Sequence, residues 1–70
     1  MIYIIDICTG PSVCTTHTLW YAFTEIEAIF YISDRGFVPD SMNEFWPFSR
    51  PNIYGEKDWA KYYPITGIHE

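Results

Sequence analysis

Cys8, Cys14, His17 and His69 are the residue types of a zinc site, and the first three fall in the compact spacing C-x5-C-x2-H. Structural zinc takes four ligands in a tetrahedron, and its cysteines usually come as C-x2-C or C-x4-C pairs. Cys8 and Cys14 flank a turn and are placed to lie close together, which supplies two ligands. His17 points away from Cys14 if the residues between them are regular strand, and His69 stands at a fraying end. The reading taken is two thiols with two surface histidines, ahead of a small zinc-binding module as the alternative and a cross-strand disulfide behind that. No metal ligand or cofactor is therefore assigned. Cys14 and His17 are also the one nearby Cys–His pair, yet a catalytic cysteine needs an oriented base and an oxyanion pocket. A chain of 70 residues has little room for such a concavity, and no glycine-rich elbow or phosphate loop is present. No enzyme is expected.

A second constellation is aromatic. Asn43 to Gly55, NEFWPFSRPNIYG, carries Phe45, Trp46, Phe48 and Tyr54, interrupted by Pro47 and Pro51. Some of these rings are expected to close the core of a very small domain. The others should stand on a surface stiffened by the prolines, where Trp, Tyr and Arg dominate protein-binding energetics. The predicted partner-contact set is Phe45, Trp46, Phe48, Arg50, Tyr54 and Trp59, with Asp40, Glu44, Glu56 and Asp58 as an acidic rim. Aromatic platforms also stack on single-stranded bases, but those come with basic grooves, and here only Arg50 and Lys57 face Glu44, Glu56 and Asp58.

The elements that must position these residues are legible in part. Met1 to Cys8 is an apolar, β-branched run that reads as a central strand. TGPS, Thr9 to Ser12, is a turn, and Thr15 to Phe23 a second strand, so the two form a hairpin. In FTEIEAIFYISDRGF, Thr24 is placed as N-cap with Glu27 completing a capping box, and Gly36 closes the helix in the left-handed conformation. The predicted helix runs from Glu25 to Arg35, with Ile26, Ile29, Phe30 and Ser33 on one face. Ser41 and Glu44 repeat the cap spacing, which predicts one helical turn before Pro47. Beyond it the prolines and Gly55 predict irregular backbone, EKDWAKYY is open to a further helical turn, and Tyr62 to Ile68 is a last strand in which Pro64 implies an edge position or a place among the strand's first residues.

These elements make one domain, residues 1–70, of α+β class: a small three-stranded, mostly antiparallel sheet with one helix on one face, in the order ββα-loop-β. On the first strand Tyr3, Ile5 and Ile7 oppose Ile2, Ile4 and Cys8; on the second Leu19, Tyr21 and Phe23 oppose Thr18, Trp20 and Ala22. Both faces are apolar and one short helix covers one of them. Either the aromatic loop or a second protein molecule must cover the other, so a homodimeric structural protein is a further alternative.

Nine acids against four bases give a net charge of -5, and aromatics make up 20% of the chain. The charge disfavours direct binding of nucleic acid or an anionic membrane, both of which need a basic footprint. MIYIIDIC is too short for a span and has no basic residue before it, so it reads as neither signal peptide nor membrane segment. The expected location is cytoplasmic, where thiols stay reduced. In size, acidity and aromatic richness the chain resembles the small acidic inhibitor proteins encoded by phages, anti-CRISPR proteins among them. The resemblance rests on general character and carries over no residue. It implies a non-enzymatic inhibitor that binds a host protein or nucleoprotein complex, such as a nuclease or CRISPR surveillance complex, through its aromatic and acidic surface.

Overall fold

The computed structural model describes residues 1–10, 15–41 and 44–65. Six elements follow one another: β1 (Ile2–Thr9), β2 (Thr16–Ala22), α1 (Glu25–Asp34), β3 (Val38–Pro39), β4 (Phe48–Pro51) and β5 (Lys57–Ile65). The strands form one antiparallel sheet in the order β2-β1-β5-β4-β3. The α+β class holds, and the described residues form a single helix and a sheet of five strands, not three.

The register explains the core. Ile5 lies opposite Trp20 of β2 and Tyr62 of β5, Ile7 opposite Ala60, and Tyr3 opposite Ala22. Cross-strand partners share a face, so these residues line the side that α1 covers. Ile5, Ile7, Ala22 and Ala60 are buried there with Ala28 and Ile32 of α1 and with Phe37, and Tyr3, Tyr31, Phe48 and Tyr62 pack around them.

The helix starts as its cap residues dictate. Thr24 Oγ1 accepts the Glu27 N–H at 3.1 Å, and the Glu27 carboxylate accepts the N–H of Phe23, one residue before the cap, at 2.8 Å. It ends in a Schellman motif: Gly36 has φ +89°, its N–H bonds the Ser33 carbonyl, and Phe37 N–H bonds the Ile32 carbonyl. Arg35 is therefore the cap rather than the last helical residue. The buried stripe differs from the predicted one. Ala28 and Ile32 face the sheet, while Ile26 and Phe30 point to solvent. The segment EIEAIFYISD offers two apolar stripes, and the small Ala28 lets the helix axis approach the strands closely.

The largest departures lie after the helix. EKDWAKYY is not a helical turn but most of β5, because Asp58, Ala60 and Tyr62 alternate with Trp59, Lys61 and Tyr63 across the sheet. The last strand is thus Lys57–Ile65, and it lies at the centre of the sheet. Pro64 is tolerated because β4 pairs only with Lys57–Ala60, which leaves one side of the upper half without a neighbour among the described residues. Part of the expected irregular region is also strand, β3 and β4. The predicted turn at Ser41–Glu44 and the end of TGPS lie in part outside the described residues.

Cys8 corrects the thiol expectation. It is fully buried and disulfide-bonded. The thiol expectation followed from the compartment, whereas a disulfide forms wherever the fold brings two sulfurs together. Cys14 lies outside the described residues.

Candidate functional site

Among the described residues, β2 pairs with β1 alone, so one of its sides is an open sheet edge. Every residue from Thr16 to Tyr21 is exposed. Trp20 and Tyr21 are consecutive, and consecutive strand side chains normally point to opposite faces. Their rings nevertheless stack, with centroids 5.8 Å apart and planes at 26°. Trp20 also stacks on Tyr31 of α1 at 6.1 Å and 13°, and Tyr21 meets Phe23 edge-on at 5.6 Å. The Arg35 guanidinium caps the run, 3.6 Å above the Tyr31 ring. Together with Phe30, Glu27 and Asp34, these residues line a groove of about 830 Å3 between the strand and the helix.

Local sequence chemistry holds the groove in shape. The two residues that link β2 to α1, Phe23 and Thr24, are the ones tied to Glu27 by the capping bonds. The helix start is therefore fixed against the strand end. The Ala28–Ile32 stripe then seats α1 on the sheet and turns Phe30 outward beside Tyr31. Tyr62 of β5 adds a tie by donating its hydroxyl hydrogen to Glu25 at 2.8 Å. Burial of the Tyr62 phenol raises its pKa above the usual 10.0, and the adjacent Glu25 carboxylate raises it further.

The predicted contact residues are dispersed. Trp46 crosses to the sheet face away from α1, where its ring lies 5.9 Å from that of His17 and 4.4 Å from the Lys61 ammonium. Trp59 is on the same face, half-buried. Phe48 packs against the core instead of protruding. Phe45, at 72% exposure, and Tyr54 are exposed in different loops, as are Glu44 and Glu56.

Arg50, Tyr54 and Asp58 do come together, around a second cleft of about 820 Å3 at the end of the sheet. The acids there are not a rim. Asp58 is 5% exposed and accepts from Arg50 Nε and Asn52 Nδ2, each at 3.1 Å. Asp40 accepts from the Ser49 hydroxyl at 2.7 Å and from Lys57 Nζ at 3.0 Å. Asn52 also donates to the Gly10 carbonyl at 3.5 Å, and its side-chain oxygen accepts the N–H groups of Tyr54 and Glu56 in its own turn. Asp40 and Asp58 thus satisfy internal donors.

The zinc alternative loses its first ligand, because a disulfide sulfur is not a thiolate. His17 Nδ1 lies 3.0 Å from Asp6 Oδ1, and His69 is outside the described residues. Among the described residues no group of three potential ligands could hold a metal. Nor is any helix among them long and apolar enough to cross a membrane.

No known protein family, curated protein or solved structure matches the chain. Its site is therefore read from its own geometry. Sequence reasoning missed Trp20, Tyr21, Phe23, Ile26 and Phe30 as surface residues. The signal was present in the helix, whose apolar residues nearly encircle it: a domain this small cannot bury them all.

Proposed function

We propose that the chain is a non-enzymatic protein-binding module of the inhibitor type, and that its contact surface is the open edge of β2 with the aromatic groove beside it. The carrying observation is the exposure on one strand and its exit: Leu19 60%, Trp20 52%, Tyr21 51% and Phe23 63%. Large contiguous apolar patches on a small domain mark interaction sites. Tyr and Trp supply much contact area at little entropic cost, which is why they anchor interfaces. The stacking of Trp20 between Tyr21 and Tyr31 orders these rings before a partner arrives, which reduces the cost of binding.

Inhibition of a host nuclease or nucleoprotein complex is the role implied by the resemblance in size, acidity and aromatic richness. The chemistry of the groove suits occlusion, since its walls are mainly aromatic rings. Affinity capture from the native host tests the reading. Wild-type protein is expected to retain a specific partner, and Trp20→Ala with Phe30→Ala to lose it by about thirtyfold or more, the loss of a hot spot. Phe30 is exposed, so a retained circular-dichroism melt separates lost contact from lost fold. Undiminished capture by the double variant would remove the groove from the interface.

A further inference from the structure

The open edge and the charge balance together narrow what fits this surface. Edge strands are commonly blunted by a lysine, a proline or a bulge, because their outward N–H and C=O groups template pairing with another chain. Strand β2, THTLWYA, carries no proline and no residue with a formal charge. It presents seven residues of regular backbone, of which Trp20, Tyr21 and Ala22 border the apolar groove.

All four cations of the chain are already engaged internally. Arg35 lies over Tyr31, Arg50 pairs with Asp58, Lys57 with Asp40, and Lys61 sits above the Trp46 ring. The groove wall carries two acids, Glu27 and Asp34, and one cation, Arg35. A second copy of the chain would bring its own charge of -5 against this one, whereas a cationic segment is drawn to it and can place its side chains over exposed ring faces. The exposed parts of Trp20, Tyr21, Phe23 and Phe30 amount to about 350–580 Å2, taking about 150–250 Å2 for a whole aromatic. Doubled by a partner's matching surface, that reaches at most the lower end of specific interfaces, about 1,200 Å2, and main-chain pairing along β2 adds to it.

We infer that the partner is bound as an extended, lysine- or arginine-bearing segment that adds to β2 as a sixth strand and lays alternate side chains into the groove between Trp20 and Phe30. This rests on the groove being the contact surface, and it adds the conformation and the charge of the occupant. Main-chain bonds to β2 supply affinity, and the groove selects side chains of every second residue.

The test is an NMR titration of the intact chain with a synthetic peptide that alternates lysine and valine over the length of β2. The comparison peptide carries glutamate in place of lysine. The expected result is shifts in the amides of Thr16–Ala22 and in the Trp20 indole N–H. Affinity for the lysine peptide should exceed that for the glutamate peptide by about tenfold or more at low salt, and the gap should narrow as salt screens it. N-methylation of alternate peptide amides should abolish binding in one register and spare it in the other, because successive amides of a strand point to opposite sides.

No binding by the lysine peptide, equal binding by both peptides, shifts away from β2, or indifference to N-methylation in both registers would each overturn the inference. So would sedimentation of the chain alone as a dimer with its β2 amides protected, which makes the occupant a second copy. If host-partner capture still depends on Trp20 and Phe30 while the peptide fails, the contact surface stands and the strand addition falls. If capture ignores both residues, both fall.

Discussion

The two edges of the sheet are built differently. At one end β3 is two residues long and contains Pro39, and the chain beyond it is held by Asp40, which accepts from Ser49 and Lys57. At the other end β2 runs for seven residues with no proline and no formal charge, and its Trp20 and Tyr21 rings stack on each other. Short length, proline and nearby lysine are the usual means of keeping an edge from pairing with another chain. One edge has them and the other lacks them. The helix lies against β1, β2 and β5, so apolar groove and open backbone occur together at the β2 end. A closed edge stabilises a monomer, and an open edge beside a preordered aromatic groove is suited to receiving a partner.

The open side should respond most strongly to substitution. Ile32 is fully buried and seats α1 against the strands. Ile32→Ala should cost about 2–5 kcal/mol, the range for truncating a buried aliphatic side chain, measured by chemical denaturation, with loss of the groove following loss of the helix. A smaller change sharpens the contrast. Thr18→Lys gives the open edge the blunting device it lacks and should weaken partner capture by about tenfold with little effect on the melt. The matching change at the closed edge, Val38→Lys, should leave capture unchanged. Equal effects at both positions would mean that the two edges do not differ in function.

At the closed edge, Asp40→Asn should lower stability by about 1 kcal/mol. It weakens one ion pair to a half-exposed lysine and a charge-assisted bond from Ser49. The smallest effect concerns the tie between the helix and β5. Because the Tyr62 pKa is raised above 10.0 by burial and then by Glu25, the unfolded chain releases this proton first. Stability should therefore be unaffected by this group below pH 10 and should fall as the pH climbs through the folded-state value. Tyr62→Phe should remove that slope from a set of melts in alkaline buffers.

Where local chemistry decides structure, the residues were readable. Thr24, Glu27 and Gly36 set the helix ends through short-range bonds, and the β1–β2 hairpin followed from two strand-like runs around a turn. The candidate site was not readable in the same way. Trp20 and Phe30 are distant in sequence, and neither carries a mark that separates a core ring from a surface one. Which stripe of α1 faces the strands depends on how closely the helix can approach, and Ala28 decides that only once the sheet is assembled. The aromatic loop misled for a related reason: Phe48 and Trp46 lie two positions apart but go to opposite sides of the sheet, because residue 48 begins a strand and residue 46 precedes it.

The amino-acid sequence by itself determined the class of the domain, its negative charge, the position and caps of its helix, and an excess of apolar side chains over what a chain of 70 residues can hide. Tertiary structure alone decided where that excess would surface. Strand order is a contest between long-range pairings, and among the described residues it placed β5 at the centre and left β2 with one open side. A residue's neighbours in sequence carry no record of which strand will pair beside it, so the edge becomes visible only in the assembled sheet.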